Sequence, residues 1–338
     1  MEFTASGLDD LLLEVYPAII AHGKTNPDAT RGPNSELLAA TLRLSNPRAR
    51  ISRSESRGKP FSALGELLWY LSGSNQLEFI ERYISAYKDE VEADGTIFGA
   101  YGPRLLNMRE GINQFDSIAR VLSEKPGTRR AVIQLFNAED IATNHREVPC
   151  TTTLQFHRRD DALHLSVTMR SNDAFLGLPH DVFCFTMIQE MMAKRLKLQL
   201  GEYFHHAGSL HLYEKHFEGA KRFMAEGWQR HWAMPEMPDG DPFELVPILT
   251  EAELRLRAGE VLDATTLADT DYWQDIVRLL QTFFAKNSDT YQLLRDSFVE
   301  GGYRSYLDSR EFGQARRAQG GEGAKNARQS EGRIDDLA

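Results

Sequence analysis

A cysteine and three arginines have the residue types and the spacing of a nucleophile with activating charges. Cys150 follows a proline and begins a segment whose apolar residues predict a strand. Arg129, Arg130 and Arg170 stand where a sheet could bring them to the same site, and nearby cations lower the pKa of a thiol. The simpler interpretation is a small buried hydrophobic side chain, the usual setting of a lone cysteine. The residues around Cys150 therefore allow a thiolate nucleophile without requiring one.

Two acidic residues also stand out by their positions. Glu66 lies in a predicted helix that is apolar on both sides, and buried carboxylates are rare. It is therefore either part of a structural pair or a functional acid–base group. Asp181 follows Pro179 by two residues, in the first turn of a predicted helix, where the helix dipole favours an acid. By itself, Asp181 is adequately explained as a helix-stabilising residue.

The elements that must position these residues follow from hydrophobic periodicity and from turn residues. Helices are predicted at residues 7–22, 61–71, 76–87, 179–196, 210–224 and 271–308. Strands are predicted at residues 131–136, 151–157, 162–169 and 202–206, with a polar turn at 158–161 and loops at 26–34 and 234–242. Because strands and helices mix along one core, the predicted fold class is α/β or α+β.

Composition limits the domain organisation and the partners. The 338 residues are 41% hydrophobic, which is enough for a full core, and residues 1–314 are predicted to form one domain. Residues 315–338 contain almost no apolar side chains and are predicted to be a disordered tail. The net charge of −10 disfavours binding to long nucleic acid. The lack of long apolar runs and of a leader-like start, with only two cysteines, predicts a cytoplasmic protein that does not cross a membrane.

Six separated motifs resemble one enzyme family in their order and rough spacing. They are the segments 66–71 (ELLWYL), 101–102 (YG), 129–130 (RR), 149–151 (PCT), 170–181 (RSNDAFLGLPHD) and 211–213 (HLY). Together they are similar to the thymidylate synthase and pyrimidine hydroxymethylase family, most clearly over residues 61–217. The resemblance implies a three-layer fold in which helices pack on a mixed sheet. It also implies a homodimer, formed through the sheet, with shared active sites.

The family resemblance implies a one-carbon transfer to a pyrimidine ring. Cys150 would attack carbon 6 of a pyrimidine nucleoside monophosphate, which makes carbon 5 nucleophilic. Carbon 5 would then take a one-carbon unit from 5,10-methylenetetrahydrofolate, and no metal is implied. Glu66 would be the general acid–base group, and Tyr101 would assist removal of the proton from carbon 5.

The resemblance also implies a set of binding residues. Phosphate would be held by Arg170 and Ser171 within the subunit, by Arg129 and Arg130 from the partner, and further by Arg31. His211 and Tyr213 would bind the sugar. Asp173, Tyr87 and Gly177 would contact the folate. Ala174 would be the position that selects ribose or deoxyribose. Ala174 is small where many family members have a larger side chain, which would leave room for a ribose 2′-hydroxyl and so favour CMP.

Asp181 departs from the family at the position that reads the base. Thymidylate synthases usually have Asn there, and an amide offers uracil both a donor and an acceptor. An ionised carboxylate can accept from the cytosine amino group but cannot donate to nitrogen 3. Either Asp181 is protonated or nitrogen 3 gains a proton when the thiolate adds. The departure predicts that the base is cytosine.

A second departure concerns the fate of the transferred carbon. Synthases use tryptophans to keep water from the site, whereas Tyr87 and Glu90 fall where two tryptophans would be expected. The usual synthase C-terminus is also not recognisable in residues 332–338. A wetter site favours attack by water, so the predicted function is 5-hydroxymethylation of CMP or dCMP, as in nucleoside-antibiotic synthesis or phage DNA modification. The alternative within the family is methylation of dUMP by a thymidylate synthase.

Two alternatives come from other functional classes. Four histidines, His205, His206, His211 and His216, suggest a metal-dependent hydrolase, although their spacing matches no established motif. A nucleotide-binding protein without activity would also preserve the family fold. Retention of Cys150, Glu66 and Tyr101 argues against that alternative.

Overall fold

The computed structural model describes residues 1–52, 60–228 and 232–308. The predicted tail at 315–338 lies outside the described residues, as do residues 53–59, 229–231 and 309–314. Eight strands are formed by the described residues. They are β1 (Glu2–Ala5), β2 (Lys24–Asn26), β3 (Asn34–Leu44), β4 (Val132–Gln134), β5 (Thr151–Arg159), β6 (Ala162–Met169), β7 (Asn172–Asp173) and β8 (Gln199–Tyr213).

These strands build one mixed sheet in the order β1-β3-β8-β6-β5-β4. The pairs β1–β3 and β6–β8 are parallel, whereas β3–β8, β5–β6 and β4–β5 are antiparallel. The short strands β2 and β7 pair with β3 and β8, respectively. The predicted mixed sheet is therefore confirmed.

Helices pack on the sheet and then on one another. The α-helices are α1 (Leu8–His22), α2 (Pro60–Ser72), α3 (Leu77–Ile80), α4 (Tyr101–Leu106), α5 (Gln114–Glu124), α6 (Gly177–Arg195), α7 (Phe217–Ala225), α8 (Val246–Arg257), α9 (Ala264–Leu267), α10 (Asp271–Phe284), α11 (Ser288–Ser297) and α12 (Gly301–Asp308). Short 3-10 helices lie at Ser85–Asp89, Ala138–Ile141, Glu214–His216 and Pro242–Leu245. Helices α1 and α6 pack on the sheet, α2 packs on α6, and α8 and α10 pack on α2. No helix in the described segments is long and apolar enough to span a bilayer.

The hairpin β5–β6 forms as predicted because its sequence alternates and its turn residues suit a tight connection. Leu154 and Phe156 on β5 are buried, and so are Leu163 and Leu165 on β6. At the tip, the turn residues Asp160 and Asp161 have φ angles of 47° and 60°. A two-residue turn with both φ angles positive matches the twist of the strands, and Asp tolerates this conformation. The hairpin fixes the start of β5, where Cys150 lies.

The predicted helix at 210–224 is wrong in its first half. Residues up to Tyr213 continue β8, which pairs with β3 in the register Glu36↔His211 and Asn34↔Tyr213. Leu210 and Leu212 are both buried and lie two residues apart, which is the spacing of a strand, and β3 and β7 pair with this segment. His211 and Tyr213 therefore project from a strand and not from a helix.

Three further elements differ from their predictions. The helix predicted at 76–87 is broken into α3 and the 3-10 turn at Ser85–Asp89, and the strand predicted at 131–136 is only β4. The segment 234–242 is not simply a surface loop, because Met234 and Met237 are buried. Met237 donates its backbone N–H to Glu190 Oε1 over 3.1 Å, and this bond ties the segment to α6.

A buried ion pair connects α6 to the chain that precedes α2. Glu190 on α6 is fully buried and contacts the guanidinium of Arg50, which is also fully buried. The Nε atom of Arg48 adds a second bond to Glu190 Oε1 at 2.7 Å. Burial alone would raise the pKa of Glu190, but Arg50 and Arg48 outweigh burial and hold the pKa below its usual value. The carboxylate therefore stays ionised inside the fold.

Candidate active site

The Cys150 thiol lies between a cation and an acid at the start of β5. Its Sγ atom is 3.7 Å from Arg170 Nη2 and 3.9 Å from Glu147 Oε1. Arg170 is held by the backbone, because Nε donates to the carbonyl of Pro149 and Nη2 donates to the carbonyl of Val148, each at 3.0 Å. The backbone of the segment that precedes β5 therefore fixes the guanidinium against the thiol.

The thiol of Cys150 is protonated at neutral pH. Burial and the charge of Glu147 raise its pKa to about 12, against the opposing effects of Arg170 and Arg31. Arg170 and Arg31 lower the pKa of the thiol, as expected of nearby cations, but burial and Glu147 outweigh them and the net shift is upward. The burial of the thiol and the position of Glu147, three residues before the cysteine, were not foreseen from the sequence. Activation of Cys150 requires a group that takes its proton.

Arg31 connects two acids at the edge of the same site. Its Nη2 atom lies 2.6 Å from Glu147 Oε2 and 2.5 Å from Glu90 Oε1. Burial raises the pKa of Glu147, and Glu90 raises it further, while Arg31 opposes both effects. The structure thus brings Arg31 to the carboxylate that contacts Cys150. Glu147 was not identified in the sequence, because none of the motifs that carry the resemblance includes it.

Glu66 is buried on α2 with three hydrogen-bond partners. The hydroxyls of Tyr70 and Tyr87 donate to Oε1 at 2.9 and 3.2 Å. Oε2 lies 2.8 Å from Nδ1 of His180, whose Nε2 is 3.0 Å from the hydroxyl of Ser62. Tyr70 reaches Glu66 because residues four apart share a helix face. His180 was not expected here, although it stands next to Asp181 in the most specific motif.

Asp181 lies on the first turns of α6 and is 8% exposed. Its Oδ2 atom accepts a 2.7 Å hydrogen bond from the amide nitrogen of Asn172. Burial and the nearby charge of Glu66 raise the pKa of Asp181 well above its usual value, against the effect of the Asn172 bond. Gly177 makes room for this contact, since a Cβ there would lie 3.1 Å from Asn172 Nδ2. Asp181 is therefore an acid that the fold favours in its neutral form.

The amide of Asn172 continues into a buried polar chain that was not predicted. Its Oδ1 atom lies 3.0 Å from Nε2 of His205, and Nδ1 of His205 lies 2.8 Å from the hydroxyl of Tyr203. Burial, and to a lesser degree His206, lowers the pKa of His205 to about 3, so the ring is neutral. The alternation of β8 places Tyr203 and His205 on the same buried face. That alternation was the one available signal.

Tyr101 is attached to the residue that follows the cysteine. Its hydroxyl donates to Thr151 Oγ1 at 2.9 Å and accepts from the backbone N–H of Thr151 at 3.0 Å. Burial and the nearby Cys150 raise the pKa of Tyr101 well above its usual value. Tyr101 also contacts Tyr70, with ring centroids 4.9 Å apart. One set of packed tyrosines therefore links the surroundings of Cys150 to those of Glu66.

His211 and Tyr213 lie next to the short strand β7. Their rings meet edge to face with centroids 4.9 Å apart, and the backbone N–H of Ala174 donates to the carbonyl of His211 at 2.8 Å. Ala174 is fully buried, so its methyl group has no exposed surface with which to line a sugar pocket. Asp173 Oδ1 accepts from the N–H groups of residues 175 and 176 and so forms the turn into α6.

The remaining predicted phosphate ligands are not all brought together within one chain. Ser171 directly follows Arg170 and is half-buried. Arg129 and Arg130 are exposed at the start of β4, where the carbonyl of Arg129 accepts from the side chain of Gln155 at 3.0 Å. Within the described ranges, no contact joins this pair to the Cys150 site.

The four histidines of the hydrolase alternative do not converge. His205 and His206 are consecutive on a strand and project to opposite faces, and His206 Nδ1 lies 3.1 Å from the hydroxyl of Thr41. His216 stacks on Phe175 at 4.9 Å between centroids. In the part of the chain that the structure describes, no three His, Cys, Asp or Glu side chains form a metal-binding group.

Comparison with known proteins identifies the family. The family described as "Thymidylate synthase" matches residues 12–237. A thymidylate synthase of Buchnera aphidicola is 30% identical over 164 residues, which are 46% of this chain and 61% of that protein. A thymidylate synthase of Bacillus phage phi3T is 31% identical over 188 residues, which are 53% of this chain and 67% of that protein. The alignment thus spans about three fifths of the Buchnera protein. The chain belongs to the thymidylate synthase family.

Proposed function

We propose that this protein is a cytosine nucleotide 5-hydroxymethylase. It would transfer a one-carbon unit from 5,10-methylenetetrahydrofolate to carbon 5 of CMP or dCMP. The observation that carries this proposal is the buried acid Asp181, with a raised pKa, at the base-reading position. A neutral carboxyl group offers one donor and one acceptor. Cytosine needs this pair, since its nitrogen 3 accepts a hydrogen bond and its amino group donates one.

The acid Glu147 supports a route for activating the nucleophile. We propose that the nucleotide phosphate binds Arg170, Ser171 and Arg31, and so draws Arg31 from Glu147. Loss of that cation raises the basicity of Glu147, which lies 3.9 Å from the thiol. Glu147 would then accept the proton of Cys150 as the sulfur bonds to carbon 6, and Asp181 would donate a proton to nitrogen 3.

The folate is a co-substrate that supplies the one-carbon unit. Asp173, Gly177 and Tyr87 are the proposed contacts, and the described contacts of Asp173 engage only Oδ1, which leaves Oδ2 for a pterin N–H. Tyr101, fixed beside Thr151, would assist removal of the proton from carbon 5.

The polar surroundings of Glu66 favour water as the final nucleophile. A tyrosine hydroxyl, from Tyr87, contacts Glu66 at the wall where the family resemblance expects an indole. Together with Tyr70 and His180, it gives the carboxylate a fixed orientation. Glu66 would accept a proton from water as the water attacks the exocyclic methylene, and the sulfur of Cys150 would then leave carbon 6.

A homodimer through the sheet would complete the site. One face of β5 and β8 presents half-buried polar residues, among them Gln155 and His206. Arg129 and Arg130 are exposed beside this face and would reach the phosphate in the partner's site. We also propose a single catalytic domain over residues 1–314 and a cytoplasmic location, which fits two free cysteines.

Sugar recognition is assigned to His211 and Tyr213, and we favour CMP over dCMP. Because Ala174 is fully buried, its small size would act through the strand position of His211 and not by direct contact. A smaller residue behind His211 would let that side chain sit deeper and leave space for a 2′-hydroxyl.

Mass spectrometry of nucleotide products tests this function. The protein would be incubated with methylenetetrahydrofolate and, separately, with CMP, dCMP, UMP and dUMP, with a Cys150→Ser variant as the blank. A hydroxymethyl gain on CMP or dCMP alone is the expected result, and the sugar that reacts settles the substrate. Absence of a product on both cytosine nucleotides would overturn the proposal.

Thymidylate synthase is the second candidate function. The relatives reported above have that name, and this similarity favours dUMP as substrate. A methyl gain on dUMP in the same experiment would support it. That outcome would mean that Asp181 reads uracil and that water is excluded from the site.

A further inference from the structure

We propose that Tyr203, His205 and Asn172 form a relay that determines which oxygen of Asp181 bears the proton, and thereby which base the site accepts. None of the three is expected to touch the nucleotide, so they are positioning residues. The inference rests on the proposed role of Asp181 as the reader of the base. It adds that the choice of base depends on residues of β8 that lie behind Asp181 and Asn172.

The direction of each hydrogen bond in the relay follows from its neighbour. Asn172 turns its amide nitrogen to Asp181 Oδ2, at 2.7 Å, so its amide oxygen faces His205 at 3.0 Å. A neutral imidazole has one donor and one acceptor nitrogen. His205 must therefore donate from Nε2, and its Nδ1 must accept the hydroxyl proton of Tyr203 over 2.8 Å.

The relay makes the two oxygens of Asp181 unequal. Because Oδ2 already accepts from Asn172, a proton on the neutral carboxyl group resides on Oδ1. The group then presents a donor at Oδ1 and an acceptor at Oδ2, and this order fits cytosine in one orientation. Uracil has the opposite order, since its nitrogen 3 donates and its oxygen 4 accepts. Reading uracil would require the reversal of every bond back to Tyr203.

The burial of the relay indicates that it is more than a filler of the core. Tyr203 and His205 are 1% and 0% exposed, and Asn172 is 3% exposed, at the interface between the sheet and α6. Polar groups buried in this way stabilise a fold less than apolar side chains of similar size would. Their benefit is orientation, because a fully bonded polar chain permits few arrangements.

A binding experiment with matched variants tests the relay. The dissociation constants of CMP and UMP, and of dCMP and dUMP, would be measured calorimetrically for the wild-type protein, Tyr203→Phe and Asn172→Ala. Tyr203→Phe removes only the hydroxyl that donates to Nδ1 of His205 and so supports the Nε2–H tautomer. Tyr272→Phe is the control, since it also removes a buried tyrosine hydroxyl, one on α10 that contacts Met187 Sδ at 3.8 Å and, among the described contacts, no member of the relay.

We expect the preference for cytosine over uracil to fall about tenfold or more in Asn172→Ala and several-fold in Tyr203→Phe, with no change in Tyr272→Phe. A purely structural role would weaken binding of both bases alike and leave the ratio unchanged, which would overturn the relay while the proposed function stands. A wild-type preference for uracil would instead overturn the proposed function. In that case, a change in the ratio of the cytosine and uracil dissociation constants in the variants would still assign base selection to the relay. An unchanged ratio would refute the relay.

The tautomer of His205 provides a direct second measurement. Nitrogen-15 chemical shifts distinguish protonated from bare ring nitrogens, and a His205→Gln variant assigns the signal among the ten histidines. The expected form is Nε2–H in the wild-type protein, with that form depleted in Tyr203→Phe. A proton on Nδ1 in the wild-type protein would reverse the chain of bonds and overturn the proposal.

Discussion

Replacing Glu147 with glutamine should lower the pKa of the Cys150 thiol from about 12. The carboxylate oxygen lies 3.9 Å from the sulfur. Two unit charges at that distance repel by about 1 kcal/mol in a water-like medium and by about 4 kcal/mol at an effective dielectric constant of ~20. Removal of the charge should therefore lower the pKa of Cys150 by between about one and about three. If the decrease is only about one unit, burial would keep the pKa of Cys150 above that of a free thiol.

The assay is the rate of alkylation of Cys150 by iodoacetamide at pH 8, in a Cys184→Ser background. At a pH below the pKa of the thiol, the fraction present as thiolate rises about tenfold for each unit by which the pKa falls. The nucleophilicity of the thiolate decreases as its pKa falls, which offsets part of this gain. The net expectation is alkylation faster by about 3-fold to about 40-fold in Glu147→Gln. Cys150→Ser gives the blank.

Glu90→Gln is the matched control for this experiment. It removes the other carboxylate that bonds Arg31, at 2.5 Å, without removing a contact of the thiol. Its alkylation rate should stay close to the wild-type rate. Equal rates in Glu147→Gln and Glu90→Gln would refute the argument that Glu147 holds the thiol protonated.

Three further predictions concern the base, the water and the fold. Asp181→Asn should lower kcat/KM for cytosine nucleotides by about 100-fold or more and add activity on uracil nucleotides, measured by product mass spectrometry. Unchanged selectivity would contradict the base-reading role. His180→Phe should lower kcat by about tenfold or more with little change in KM, because Glu66 loses the partner of Oε2, and His180→Gln should restore part of the rate. Glu190→Gln should be destabilised by about 3 kcal/mol or more in urea at pH 7, because Arg50 loses its buried partner. The fold depresses the pKa of Glu190, so the ionised carboxylate stabilises the wild-type protein above the usual carboxylate pKa. This stabilisation is lost as the pH falls through the pKa that Glu190 has in the folded protein. The variant lacks this carboxylate and should therefore lose less stability than the wild-type protein between pH 7 and pH 4.

The spacing of apolar residues predicted the elements that hold the site, because each of these elements buries one face and its apolar residues recur with the period of a helix or a strand. The hairpin β5–β6 and helices α2 and α6 are of this kind, and they place Cys150, Glu66 and Asp181 as expected. The segment around Leu210 and Leu212 on β8 was misjudged, because a helix does begin at Phe217, only a few residues later. There the partner strand decides, and it is far away in the sequence.

The chemical surroundings of the site were less predictable than its position. Glu147, His180 and His205 each act on a residue that was identified in the sequence, and each was missed. A side-chain contact between distant segments, such as His180 with Glu66 across 114 positions, leaves no periodic signal in a single sequence. The sign of the pKa shift of Cys150 depended on burial of the thiol and on Glu147, three residues away, and neither was weighed against the arginines.

The bridge from Arg31 to Glu147 has a consequence for how the protein survives in a cell. Oxidants and electrophiles attack thiolates and spare thiols, and burial together with Glu147 keeps Cys150 in the thiol form. The substrate would thus activate the nucleophile, because only an anion that attracts Arg31 would free Glu147 to take the proton of the Cys150 thiol. A covalent inhibitor aimed at Cys150 should accordingly fail as a bare electrophile and succeed when it bears a phosphate.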